Sequence, residues 1–314
     1  MVQRNNHTEV SIEEQFNKYI AHVFGTNDAL YNQSLTNPLE RKNNRDVDIH
    51  KILHGKTITG PLLLAPAPSL CLVHEDGELA VAKAATDKGV PFIASTFSSY
   101  TLEEIADVNE GGVRWFQLDY PNDSNIAKSF AQRAELAGYQ AIVISLDASP
   151  LAGNESILTN GYANFAVDPF FIRRVYGKSR AESYFEELEE VAFKPSVTWA
   201  DLAYIRDSVT IPIYLKGNFS EEKVKLAVEN GVDGIILTTP NPSNDLLKVL
   251  NDLLGNDRTL IIDNSAVDSL GSAFGLGINL FVVSLSYIYG LVKEGKAGVE
   301  FAIESQLDNI KQSF

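Results

Sequence analysis

Histidine runs out early in this chain. All five residues (His7, His22, His50, His54 and His74) fall within the first 74 of 314 positions, so later segments cannot deliver an imidazole base. Cysteine is scarcer still. The single Cys71 excludes an intramolecular disulfide and most thiolate metal sites, and suggests a reducing compartment. Its apolar setting, "APAPSLCLV", favours a buried inert thiol over a nucleophile. Positive charge is also short, with 26 Lys and Arg against 41 Asp and Glu and a net charge of -15. That balance argues against a nucleic-acid partner, which needs a basic face, but leaves open a small anion held at one local site. No apolar run reaches a membrane span; "PLLLAPAPSLCLV" comes closest and is interrupted by proline. The first ten residues, "MVQRNNHTEV", lack the apolar core of a secretory signal. With 45% hydrophobic and 21% charged residues, the expectation is a soluble, cytoplasmic globular protein with no membrane partner.

What is present is a strict alternation. Short β-branched apolar runs recur at 61–67, 90–96, 114–120, 141–148, 211–217, 234–240, 259–265 and 280–286. Amphipathic helical patterns such as "SNIAKSFAQRAELAG" and "SEEKVKLAVENG" separate them, several closing on a glycine suited to a left-handed helix end. The runs are apolar on both faces, as strands of a helix-covered parallel sheet should be. Eight strand–helix units predict an α/β fold, a single (β/α)8 TIM barrel. Residues 1–56 read as an N-terminal helical extension and 57–314 as the barrel, with a long loop at roughly 149–197 after the fourth strand. A doubly wound dinucleotide fold would need G-x-G-x-x-G directly after a strand; the near match "GLGINL" precedes one and lacks the third glycine.

Barrel chemistry sits at the C-terminal strand ends. These carry Ala67, Ser95, Thr96, Gln117, Asp119, Ser145, Asp147, Lys216, Thr238, Thr239, Asp263 and Ser284 among others, with Lys216 as the sole cation of the ring. Lys216 can stabilise a bound anion or a developing enolate, serve as a Schiff-base amine, or simply pair with Asp147 or Asp119. Asp119 and Asp147 can form an acid/base pair, or cap the next helix or loop. Asp263, followed by Asn264 and Ser265, reads as a turn and cap. Trp115 and Trp199 read as packing anchors. No metal site is expected.

Several stretches taken together, "TITGPLLLAPA", "LVHEDGELAVAKAA", "SYTLEEIA", "RWFQLD", "VTWADLAYIRDSVTIPIYLKG" and "ENGVDGIIL", resemble the FMN-dependent α-hydroxy acid oxidases, the lactate and glycolate oxidase group. They occur in family order, from about Ile12 to about Phe301. The resemblance implies FMN across the barrel mouth, held by the Ala65–Pro66–Ala67 backbone, Ser95, Gln117, Ser145 and Lys216. It also implies a homo-oligomer, with a tetramer as the candidate, and a small-molecule ligand.

The same comparison exposes departures. Where the family has a D-G-G-V-R turn after the seventh strand and a G-R pair after the eighth, this chain reads "DNSAV" and "SLS", so both phosphate-clamping arginines are missing. At the sixth strand end, "LTTPNPSND", the family's histidine base falls on Pro240 and its carboxylate-gripping arginine on Ser243. The family tyrosine after Gln-Leu is Asp119, and the second substrate arginine falls on Asn154 or Glu155. Of the catalytic set, Asp147 and Tyr19 are left. The expectation is therefore a lactate/glycolate oxidase-like barrel degenerate for 2-hydroxy acid oxidation, with a weakened FMN site and a binding, scaffolding or assembly role. The alternative is an FMN-dependent oxidoreductase for a 2-hydroxy acid or an unusual substrate, using Lys216 and Asp147, with Arg173 or Arg174 as a substitute carboxylate grip. A lysine-dependent lyase on the same fold is a third.

Overall fold

The computed structural model describes residues 11–24, 48–146, 154–177, 183–239, 242–263, 276 and 278–312. A two-stranded hairpin, β1 (Lys51–Leu53) and β2 (Lys56–Ile58), precedes the barrel. Its turn is His54–Gly55, with φ of 47° and 76°, a left-handed pair that glycine adopts without steric cost. Eight strands then follow: β3 (Leu62–Leu64), β4 (Phe92–Ser95), β5 (Arg114–Leu118), β6 (Ala141–Ser145), β7 (Ile213–Gly217), β8 (Gly234–Leu237), β9 (Thr259–Asp263) and β10 (Leu280–Val283). They pair in parallel in the closed order β10-β3-β4-β5-β6-β7-β8-β9. Each lies inside one of the apolar runs read from the sequence, and the chain is a (β/α)8 barrel.

Burial on both faces explains why these runs show no alternation. Ile93, Phe116, Ile142, Val143, Leu215, Ile236, Ile261 and Val282 are all fully buried, with Phe116, Ile142 and Leu215 on the helix-facing side and the rest on the barrel interior. At the N-terminal end of the barrel Trp115 stacks on Tyr214 at 4.4 Å between ring centroids, and His54 of the hairpin turn packs on both rings at 5.5 and 5.9 Å. This aromatic floor closes the barrel on the side away from the strand ends. Burial lowers the His54 pKa, with nearby Asp233 opposing it, which favours the neutral ring in this apolar setting.

Helix starts follow their capping residues. Thr101 and Thr198 each form a capping box, with Glu104 and Asp201 respectively, while Asp123, Ser220 and Ser243 cap the helices that begin one residue later. Among its described residues the long segment after β6 holds four short helices, Glu155–Asn160, Ala163–Ala166, Pro169–Gly177 and Ser183–Val191. Buried Asn164 ties it to the barrel mouth: its amide accepts from Leu102 N and donates to Thr96 O and Ser98 Oγ at 2.9–3.1 Å. Gly161 permits the approach, because a Cβ there would lie 2.2 Å from Phe97 O. Trp115 is fully buried and Trp199 packs half-buried at the first turn of Trp199–Arg206.

Candidate active site

The parallel register sets the C-terminal ends of β4, β5, β6 and β7 side by side, pairing Ser95 with Gln117 and Ser145 with Lys216. Across this surface runs a line of polar contacts. Lys216 Nζ donates to Gln117 Oε1 at 3.3 Å. Gln117 Nε2 donates in turn to both carboxylate oxygens of Asp119, at 3.2 Å each. Lys216 therefore reaches Asp119 through an amide rather than by direct contact. Thr96 fixes the backbone beneath: its hydroxyl donates to Gln117 O at 2.8 Å and accepts from Asp119 N at 3.0 Å.

Asp119 is 7% exposed. Burial pushes its pKa up to about 6, against the opposing pull of the Gln117 hydrogen bond and the Lys216 charge. The capping role that strand-end aspartates often play falls instead to Asp123, which accepts from Asn125 N at 2.9 Å. Asp119 is thus a mouth carboxylate, not a helix cap.

The first strand end is held from two sides. Ala65 N donates to Val283 O at 2.8 Å, and Ala65 O accepts from Tyr287 Oη at 2.7 Å. Tyr19 Oη donates to Pro68 O at 2.6 Å. Burial raises the pKa of Tyr19 well above the usual phenol value, with smaller upward contributions from Tyr287 and Glu78. Both phenols therefore act as hydrogen-bond donors to backbone. Pro66 and Ala67 continue this segment, half-buried and buried. Ser95 Oγ accepts from Phe97 N at 3.1 Å.

Glu78, which sequence reasoning did not single out, is fully buried and accepts from both Leu70 N and Ser99 N at 3.0 Å. It pins the segment after β3 to the segment after β4. Burial raises its pKa to about 7, against those backbone hydrogen bonds. Its signal in the sequence was only a glutamate inside an apolar helical stretch.

Asp147 and Pro240 lie outside the described residues. Ser243 is exposed, and its hydroxyl accepts from Leu246 N at 3.2 Å as the cap of Asn244–Leu254. Arg174, an expected substitute grip, is instead engaged by Glu187, Asp123 and Glu190. Arg173 lies over the Phe170 ring at 5.8 Å. Asn154 caps the helix after it and donates to His22 O at 2.6 Å. Arg258 stands at the opposite end of the barrel, where its Nε donates to Val232 O at 3.0 Å.

A family model described as FMN-dependent dehydrogenase matches residues 23–314. The chain belongs to the FMN-dependent dehydrogenase family. Similar proteins include an L-lactate oxidase of Lysinibacillus sphaericus, 35% identical over 280 residues, covering 83% of this chain and 72% of that protein. A human 2-hydroxyacid oxidase 2 is 30% identical over 272 residues, covering 81% and 74%. Among solved structures, a mandelate oxidase variant carrying a monooxide FMN adduct superposes with a TM-score of 0.68 at 27% identity, over 88% of this chain and 81% of that one. The family is one of FMN-dependent 2-hydroxy acid oxidases and dehydrogenases.

Against that family's cofactor the residues here divide in two. On the ring side, Lys216 and Gln117 present a cation and an amide to the mouth, as polar recognition of a flavin edge requires. On the phosphate side, the sequence holds no lysine or arginine between Arg258 and Lys293, an interval that takes in the ends of both β9 and β10. Charge-assisted contacts are the strong ones in a phosphate site, and losing two costs several kcal/mol, on the order of two to four decades in affinity.

Proposed function

We propose that this FMN-dependent dehydrogenase family barrel has given up 2-hydroxy acid oxidation, binds FMN weakly, and works by binding or assembly. Asp119 carries the reading. A buried carboxylate stands at the mouth, hydrogen-bonded to Gln117, where the family resemblance places a tyrosine. A substrate carboxylate brought close would be repelled, and because the Asp119 pKa is about 6 the penalty at pH 7 is capped by protonation at about 1.4 kcal/mol, roughly one decade in affinity. The Ser243 hydroxyl, at the position of the gripping arginine, is committed to a helix end. The position of that gripping arginine is thus filled by a group that cannot offset this repulsion.

FMN, when bound, supplies a hydride-accepting ring. The residues that would hold that ring are the Ala65–Ala67 backbone, Ser95, Gln117, Ser145 and Lys216. The reading places the protein in a reducing compartment, in keeping with its lone Cys71, and as a homo-oligomer.

A second reading, an FMN-dependent oxidoreductase for an unusual substrate, is favoured by the intact Lys216–Gln117 contact. The visible spectrum of the purified protein, followed by FMN titration of wild type and Lys216→Met, separates the two. Colourless protein with affinity weaker than micromolar supports the first. Yellow protein, or saturable micromolar binding lost in Lys216→Met, supports the second.

A further inference from the structure

One side chain joins the segment after β3 to the segment after β4. Glu78, in the first turn of helix Gly77–Lys88, is fully buried, and its Oε1 accepts from both Leu70 N and Ser99 N at 3.0 Å. Its Oε2 is also buried and has no hydrogen-bond partner. In a carboxylate the two oxygens are equivalent acceptors; in a carboxylic acid the carbonyl oxygen accepts and the hydroxyl carries the proton. Two donors on one oxygen and none on the other is the arrangement a neutral acid takes.

The surroundings offer a charge no compensation. The titratable groups that bear on Glu78 are Tyr19 of helix Ile12–Phe24, Tyr287 of the final helix, Cys71 after β3 and Tyr100 after β4, and its charge raises the pKa of each. Asp76, at the cap of the same helix, acts on Cys71 and Tyr100 in the same direction. Among the described residues no cation bears on the carboxyl, whose pKa burial raises to about 7 against its backbone hydrogen bonds.

The segment that Glu78 holds is also strained. Ser69 sits at φ 51° and ψ 46°, a left-handed conformation uncommon for a residue with a Cβ. Its own bonds keep it there, with Ser69 N donating to Phe97 O at 2.8 Å and Oγ to Ile157 O at 3.2 Å. The next two residues are tied to Ser99, Leu70 through Glu78 and Cys71 by donating its N–H to Ser99 Oγ at 3.2 Å.

We propose that Glu78 is a proton-operated latch: carrying a proton it keeps the segments after β3 and β4 closed on each other, and giving that proton to solvent it favours a locally opened form in which the carboxylate is hydrated. Only the O–H bond breaks, and water takes the proton. The orphan oxygen supplies the drive, because water stabilises an unpartnered buried carboxylate far more than it stabilises the acid. The sign follows from linkage. Glu78 holds its proton at about 7 when closed and at about 4.5 when hydrated. The advantage of the closed form is therefore full below about pH 4.5 and is lost as pH rises to about 7. Since Ala65–Ala67 leads into the latched segment, opening loosens the first strand end of the barrel mouth. The latch requires no flavin, so it stands or falls apart from the functional reading.

Amide hydrogen exchange of the purified protein from pH 5 to pH 8, corrected for the intrinsic pH dependence of exchange, tests it. Leu70 and Ser99, whose amides Glu78 holds, should be less protected than Ile144 and Leu215 in β6 and β7. Their protection should fall at least tenfold across that range. Glu78→Gln keeps the carbonyl acceptor and cannot ionise, so its Leu70 and Ser99 protection should stay flat. Flat protection in wild type, an equal fall in Glu78→Gln, or protection equal to that of the core strands overturns the proposal. Carboxyl-carbon NMR of wild type gives a second reading that needs no variant. One glutamate should titrate near 7, and glutamates that all titrate in the ordinary range of about 4 to 5 would refute the latch.

Discussion

Lys216 Nζ stands 3.3 Å from Gln117 Oε1, and through that amide its charge bears on Asp119. A polar side chain between an ammonium and a carboxylate transmits the field of one to the other without the desolvation cost of a direct buried pair. Replacing Lys216 by methionine removes the charge and keeps most of the volume. Since Lys216 pulls the Asp119 pKa down from where burial alone would put it, Lys216→Met should raise that pKa above about 6. Carboxyl-carbon NMR titration of Asp119 reads this directly, and an unchanged or lower value contradicts the linkage.

Asp119 itself makes stability depend on pH. Its carboxyl holds a proton more tightly folded, at about 6, than unfolded, at about 4. The stabilisation is therefore fully present below about pH 4 and is lost as pH rises through about 6. The change amounts to roughly 2–3 kcal/mol for a shift of about two units. Urea unfolding of wild type and Asp119→Asn should diverge across that window, the variant gaining relative stability toward pH 8. Parallel curves from pH 4 to pH 8 would show that the carboxylate is not desolvated.

Tyr287 donates to Ala65 O across 222 residues of sequence, joining the first strand end of the barrel to the final helix. Phenylalanine there removes the donor and leaves a buried carbonyl short of a partner, which costs about 1–3 kcal/mol. Tyr287→Phe should lower unfolding stability by that amount. Tyr19→Phe, which frees Pro68 O, should cost about the same. No measurable loss in either would mean water replaces the phenol.

The eight strands were legible because every one is a short, doubly buried apolar run bounded by turn residues, and burial on two faces writes itself into composition. Lys216 was legible for a different reason: it is the only cation on the ring of strand ends, so its position needed no knowledge of contacts. Asp119 was harder. At a strand end an aspartate reads equally as a helix cap, and nothing local distinguishes it from Asp123, which takes that role four residues on. Tyr287 and Glu78 were illegible, because what each holds lies on a different segment: Ala65 is 222 residues from Tyr287, and Ser99 is 21 from Glu78. Periodicity cannot report pairings at such range.

The aromatic floor offers a test of the far end of the barrel. Trp115 is fully buried and packed between Tyr214 and His54. Truncation to alanine should cost about 3–5 kcal/mol. Thermal unfolding of Trp115→Ala checks it. A loss below about 1 kcal/mol would mean that the hairpin does not plug the barrel.

The central claim is that the strand-end chemistry for 2-hydroxy acids has gone. The most direct test is anaerobic: protein saturated with added FMN is mixed with L-lactate, glycolate or mandelate, and the visible flavin absorbance is followed. The account predicts no bleaching faster than in the Lys216→Ala control, since Asp119 repels the substrate carboxylate. Rapid, saturable bleaching by any of the three that the control lacks would contradict it.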